Sequence, residues 1–337
     1  MTIVANQYTH VVGVDTHAKT HTYAILASAT GQVQDTATFP TSPPGIARAA
    51  DWMNRRAGEG QLLVSVEGAS SYGAGLTRAL HSAGISVCDV RPPRRTSRRG
   101  RGKSDAIDAV TAAQSVLGIE VASLIEPRAH GERNALRILL GTRRLMDRQR
   151  TADRLALTAI IRTTELGVDG RQALTDAQIR AIAAWRTRSR DDRADKLARE
   201  EARRLARAVL AFTAELETNR THISDIAQDM APGLMDLPGL GPVSSAVVLV
   251  AYSHHGRIHS EAAFAAIAGV NPIPASSGNT IRHRLNRQGD RQLNKALHTI
   301  ARTRMQFDAE TKEYVQRRTA EGKTLREIRR CLKRSIA

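Results

Sequence analysis

Residues 10–40, HVVGVDTHAKTHTYAILASATGQVQDTATFP, carry the strongest strand pattern of the chain. Within them VVGVDTH, HTYAILAS and QVQDTATF are β-branched or alternate apolar with polar side chains, and only short polar breaks separate them. A period of two marks strands, and breaks this short leave room for tight turns alone, so three consecutive hairpin-linked strands are predicted. Next along the chain, PPGIARAADWMNRRAG opens on prolines and closes at a glycine, which suits a helix. LLVSVE then reads as a buried strand, SYGAGLTRALHSAG as a helix, ISVCDV as a further strand, and SDAIDAVTAAQSVLG as a helix with Ser104 as its N-cap. Three hairpin-connected strands followed by α-β-α-β is the order of a ribonuclease-H-like α/β fold.

That frame gives four acids a common meaning. Asp15 ends the first strand, Glu67 ends LLVSVE, and Asp105 and Asp108 lie three apart on a helix, hence on one face. A carboxylate closing an apolar strand adds nothing to stability. It becomes sensible where several acids converge on a divalent cation, because Mg²⁺ prefers hard oxygen ligands and one or two such ions assist displacement at a phosphodiester.

Charge points to the same substrate. The formal net charge is +17, and residues 91–103 (RPPRRTSRRGRGK) hold seven Lys and Arg with no acid. Residues 279–337 carry sixteen Lys and Arg against six Asp and Glu, and the rest of the chain is balanced. Positive charge gathered in this way is the footprint of a polyanion, which marks Arg94, Arg95, Arg98, Arg99, Arg101 and Lys103 as candidate phosphate contacts. No apolar run approaches the ~20 residues of a membrane span, and the start MTIVANQYTHVVG lacks the plan of a signal peptide. Cys88 and Cys331 are isolated, which argues against a disulfide scaffold or a zinc finger and for a cytoplasmic, nucleoid-associated location.

Beyond residue 130 the composition shifts to Arg, Ala, Leu and Glu. Ala198, Ala202, Leu205, Val209, Phe212, Leu216, Asn219, Ile223 and Ile226 form a heptad seam, which fits either a coiled coil between subunits or a long helix packed on its own domain. LMDLPGLGPVSSAVVLVA reads as helix, turn, helix; Gly239 and Gly241 would expose backbone amides to phosphate, as a helix–hairpin–helix does. The last distinctive stretch holds the doublet Ser276–Ser277 before Gly278, followed by Arg282, Arg284, Arg287 and Arg291. A serine among guanidinium groups is a reasonable nucleophile on phosphorus, since the arginines stabilise the charge of the transferring group. Tyr314 is a rival nucleophile, although a lone Tyr on a charged helix is more often packed. His17, His21 and His283 show no metal-ligand spacing and read as ordinary polar residues within reach of phosphate.

Taken in order, GVDTHAKTHTYAI, VEGASSYGAGL, RGKSDAIDA, LPGLGPVSSA, FAAIAGVNPIPASSG and RQGDRQLNKAL resemble the transposases of insertion sequence family 110, the DEDD recombinases associated with a bridge RNA. The resemblance implies a RuvC-like, ribonuclease-H-fold domain over 1–128 with its tetrad on Asp15, Glu67, Asp105 and Asp108. It further implies a helical, coiled-coil assembly segment over 129–230, and a mostly α-helical transposase domain over 231–337 whose nucleophile falls on Ser277, with Ser276 the other member of the doublet. Implied partners are donor and target DNA, a structured guide RNA that carries sequence choice by base pairing, and further copies of the chain as a dimer or tetramer, so that the carboxylates of one subunit could meet the serine of another. The alternative is a RuvC-like, Mg²⁺-dependent endonuclease acting on branched DNA, which leaves the region beyond residue 130 without a use. A non-enzymatic nucleic-acid-binding protein leaves the rim acids unexplained.

Overall fold

The computed structural model describes residues 2–90, 104–128, 131–186, 188, 191–253, 257–276 and 283–337. The chain divides into two compact units, Met1–Asn134 and Ala135–Ala337.

The first unit opens with a one-turn helix α1 (Val4–Gln7), then β1 (His10–Thr16), β2 (Thr20–Ala27), β3 (Val33–Pro40), α2 (Pro43–Ala57), β4 (Leu62–Glu67), α3 (Ala74–Ser82), β5 (Ser86–Val90) and α4 (Asp105–Gln114). The five strands form one sheet in the order β3-β2-β1-β4-β5. β1 and β2, and β2 and β3, pair antiparallel; β1 and β4, and β4 and β5, pair parallel. This mixed α/β sheet is compatible with the ribonuclease-H-like arrangement expected from the order of elements.

Alternation along the strands gives the sheet two apolar faces. Val12, Val14, Tyr23, Ile25, Val64 and Val66 pack against Ile46, Trp52 and Met53 of α2 and Leu76 and Leu80 of α3. Val11, Leu26, Leu63 and Cys88 pack against Ala109 and Ala113 of α4. Burial on that second face pushes the Cys88 thiol up to about 12, so it stays protonated inside the core.

The second face has the tighter tolerance. A Cβ on Gly13 would lie 1.9 Å from the Ala109 carbonyl oxygen and 2.5 Å from the Ala113 amide nitrogen. Only glycine at that position lets the α4 backbone lie on β1, and alanines at 109, 112 and 113 supply the matching flat face on the helix. One strand over, Ser65 donates to the Ala112 carbonyl oxygen at 2.7 Å and ties β4 to the same turns of α4.

The second unit holds most of α5 (Gly131–Thr163), then α6 (Asp176–Ala183), α7 (Arg193–Met230), α8 (Pro242–Tyr252), α9 (Glu261–Ile267), the short strands β6 (Pro272–Pro274) and β7 (His283–Leu285), and α10 (Arg291–Phe307), α11 (Ala309–Ala320) and α12 (Leu325–Ile336). The heptad seam of α7 is covered by helices of the same chain. Ala202, Leu205 and Val209 pack with Leu157 and Ile161 of α5 and with Ile179 and Ile182 of α6, while Ile223 meets Leu136 and Ala246. The polar seam residue Asn219 donates to the Leu139 carbonyl oxygen at 3.1 Å and accepts from Arg143 at 3.2 Å, so both ends of its amide are satisfied.

One local reading needs correction. The segment before the LPGLG turn is a 3-10 turn, Leu234–Asp236, after the end of α7, and not a new helix. The region carrying the serine doublet is mostly helical, as expected, and within it the short strands β6 and β7 pair antiparallel with Ile273 opposite Arg284. Among the described residues no helix is long and apolar enough to cross a membrane.

Gly13→Ala tests the packing constraint. We expect it to cost about 2–4 kcal/mol, at or above the usual cost of overpacking, because the obstructing atoms are backbone and cannot swing aside. Urea unfolding of the two proteins measures it; an unchanged midpoint would contradict the constraint.

Candidate active site

The sheet's pleat and the placement of α4 bring the predicted acids toward one rim. Asp15 is two residues past Gly13 and so projects from the face that carries α4. Leu63 and Ser65 of β4 face α4 as well, and Glu67 continues that alternation. The parallel register aligns Gly13 with Ser65 and Val14 with Val66, which sets Asp15 and Glu67 at matching ends of neighbouring strands. Thr16 fixes this end by donating to the Glu67 backbone carbonyl at 2.7 Å.

α4 starts at the same rim. The Ser104 side chain accepts from the Ile107 amide at 3.3 Å, which caps the helix and puts Asp105 and Asp108 in its first turn, where the helix dipole favours negative charge. His17 Nε2 lies 3.2 Å from Asp15 Oδ2 and 3.4 Å from Asp105 Oδ1. One donor atom from each of Asp15, His17 and Asp105 lies within 4.8 Å of the others.

Asp15 is 7% exposed. Burial holds its carboxyl above the usual carboxylate range; the neighbouring charges of Asp105 and Asp108 push the same way, and His17 pulls in the opposite direction. Like charges gathered in a partly dry rim are unfavourable alone and favourable around a cation. Carboxylate oxygens with one imidazole nitrogen are a donor set that a divalent metal ion accepts, so the residues present fit such an ion.

Of the four predicted acids, Asp15 and Asp105 meet directly at this cluster. Asp108 is near enough to act on the Asp15 carboxyl through its charge, and Glu67 occupies the adjoining strand end on the same face. His17 is the member the sequence reading missed. The available signal was the spacing of two in Asp-Thr-His, which sets both side chains on one face of extended chain. His21, grouped with it, is 1% exposed inside the sheet and has no access to phosphate.

In the second unit, Gly239 has φ +84°, and a Cβ there would lie 2.9 Å from the Ile300 carbonyl oxygen of α10. Conformation and packing therefore account for that glycine without a ligand. Gly241, at the N-terminus of α8, has open space in front of it, and its amide donates to Ser244 Oγ at 3.0 Å. The serine doublet falls in the connection between β6 and β7. Arg284 and Arg287 line an open groove there with Ile273 and His283, and Arg291 begins α10. Ser276 is exposed. Ser277, Arg282 and the basic residues Arg94, Arg95, Arg98, Arg99, Arg101 and Lys103 lie outside the described residues. Tyr314 is packed beside Ile328 and Leu332, with Arg317 and Arg318 over its ring.

Two family models match the chain. Residues 12–164 match one described as a transposase, of the DEDD IS110 type, and residues 231–316 match one described as "Transposase IS116/IS110/IS902 family". Among similar proteins is the insertion element IS110 uncharacterized 43.6 kDa protein of Streptomyces coelicolor, 34% identical over 99 residues, which is 29% of this chain and 24% of that protein. The match thus spans about a quarter of the relative's length.

The raised Asp15 pKa has a stability consequence with a definite sign. A carboxyl whose folded pKa exceeds its unfolded value binds more protons when folded, so its contribution to stability falls as pH rises through the range between the two. We expect Asp15→Asn to melt above the wild type at neutral pH without divalent cations, and the difference to vanish below the ordinary Asp range. Adding Mg²⁺ should raise the wild-type melting temperature but not that of the variant. A variant less stable than wild type at neutral pH would count against a strained acidic cluster.

Proposed function

We propose that this chain, a member of the IS116/IS110/IS902 family of transposases, cuts and rejoins DNA through a serine nucleophile and a carboxylate-held divalent cation. The observation that supports this most is the meeting of Asp15, His17 and Asp105 at one rim of the sheet, with Glu67 and Asp108 on the flanking strand end and helix turn.

In this reading Asp15, Glu67, Asp105 and Asp108 hold the cation. When bound, Mg²⁺, as one or two ions, supplies Lewis acidity to the phosphate oxygens. Ser277 Oγ attacks phosphorus, forming a serine–phosphate bond while the bond to the leaving DNA oxygen breaks and that oxygen takes up a proton. A hydroxyl at another DNA end then attacks the serine-linked phosphorus and releases the serine, so the phosphodiester is rejoined without loss of its energy. Arg282, Arg284, Arg287 and Arg291 neutralise the transferring phosphoryl group. The basic run 91–103 and the amides near Gly241 hold backbone phosphates without reading bases.

The family resemblance assigns sequence choice to a structured RNA that pairs with donor and target DNA, and the basic segments carry charge compatible with backbone contact to it. The domain plan is catalytic residues 1–128, helical assembly residues 129–230 and serine-bearing residues 231–337. Assembly as a dimer or tetramer would use faces of α5 and α7 other than the seam, which the chain covers itself. The site of action in this reading is the cytoplasm, on the nucleoid.

Covalent trapping tests the mechanism. Protein, Mg²⁺, co-expressed RNA and labelled element-junction DNA are quenched in denaturant and examined for a protein–DNA adduct. We expect an adduct that Ser276→Ala retains and Ser277→Ala loses, with strand exchange reduced at least ~10³-fold in the latter. Cleaved DNA without any adduct would replace this reading with hydrolysis by a metal-dependent endonuclease.

A further inference from the structure

The four carboxylates alone would make an oxygen-ligand cation site, and the part that His17 takes in it is not fixed by them. Its position is well determined by the fold. The His17 amide donates to the Thr20 carbonyl oxygen at 3.1 Å, closing the turn between β1 and β2, and Thr16 pairs with His21 directly beneath it. The backbone is thus held at the rim while the side chain, 48% exposed, leans over the cluster. Nε2 lies within 3.4 Å of one oxygen from each of two carboxylates on different elements, Asp15 on β1 and Asp105 on α4.

The distances decide what that nitrogen can do. Two donors on one small divalent ion, each ~2.0–2.2 Å from it, are at most about 4.4 Å apart. The separations from Nε2 to the two oxygens, 3.2 and 3.4 Å, fall inside that limit. The outer bound of the whole cluster, 4.8 Å, exceeds it by a few tenths of an ångström, which the half-exposed Asp105 side chain can close by rotation. An ion drawn to those two oxygens therefore meets Nε2 as a third donor.

We propose that His17 is a ligand of the bound cation through Nε2, which makes this a mixed nitrogen–oxygen site that favours Mn²⁺ over Mg²⁺ more than its carboxylates alone would. Mg²⁺ prefers hard oxygen donors, whereas imidazole suits transition-metal ions, so the nitrogen adds affinity selectively for Mn²⁺. The inference rests on the carboxylate site proposed above and deepens it by assigning a residue outside the DEDD set.

The test uses the full chain and Mn²⁺ alone. Loss of the free-ion electron paramagnetic resonance signal gives affinity, competition with Mg²⁺ gives selectivity, and electron spin-echo modulation reports a directly bound nitrogen. We expect wild type to show nitrogen modulation. His17→Gln and His17→Ala should lose it and bind Mn²⁺ about 10- to 100-fold more weakly, the range seen when metal sites lose a supporting group, with a smaller change for Mg²⁺. Circular dichroism confirms that the variants fold, as the exposed position leads us to expect. Binding that needs Asp15 but shows no nitrogen modulation, or modulation that survives in His17→Gln, overturns the assignment of His17 and leaves the carboxylate site standing. Binding that is absent, or unaffected by Asp15→Asn, overturns both.

Discussion

The approach of α4 to β1 over Gly13 is the contact on which the candidate site depends. With no side chain at 13, the backbone of Ala109 and Ala113 lies directly on the strand. The helix axis is thereby fixed, and its first turn arrives above the strand's last residues. Asp105 then sits beside Asp15, and the capping of α4 by Ser104 holds it there. Ser65 repeats the arrangement one strand over, where a buried hydroxyl spans the gap to Ala112. Small residues near the base of the helix thus set the spacing of acids at its top. The result opposes stability locally, because burial and like charge both disfavour an ionised Asp15. Clusters that are unfavourable alone and favourable around a ligand are common where function sets the sequence.

The second unit is built on different terms. Its long helices bury their heptad seam against one another, and Asn219 is retained in that seam because Arg143 and the Leu139 carbonyl satisfy it. Its positive charge gathers toward α10–α12 and the β6–β7 connection, where arginines alternate with few acids. The proposed reaction draws on both a rim of carboxylates for a cation and a basic, serine-bearing region for phosphate. Both lie in one chain, in the order in which the two transposase models match it.

Much of the first unit was legible because its signals are local. Alternation in HVVGVDT and THTYAILA, the prolines ahead of α2 and the serine ahead of α4 each report on neighbouring residues, and the structure follows them. The two-residue strand period sets Asp15 on the face of Gly13 and Glu67 on the face of Ser65, and the parallel register makes those one face. What local signals could not give was set by tertiary contact. Gly13 looks like any strand glycine until a helix lies on it. His17 looked like a surface histidine, although the same period of two links it to Asp15. The heptad seam was ambiguous by nature, since periodicity says that a face is buried and not by what. β6 was hidden by its own composition: two of its three residues are proline, which leaves Ile273 alone with an N–H to donate.

The rim formed by β1, β4 and α4 is proposed to hold a divalent cation. Anomalous diffraction at the manganese edge, from crystals grown in saturating Mn²⁺, tests it most directly. A bound ion gives a peak within about 2.0–2.6 Å of oxygens from Asp15 and Asp105, the usual span for oxygen ligands of divalent ions. Ordered Asp15 and Asp105 side chains with no anomalous density between them would contradict it.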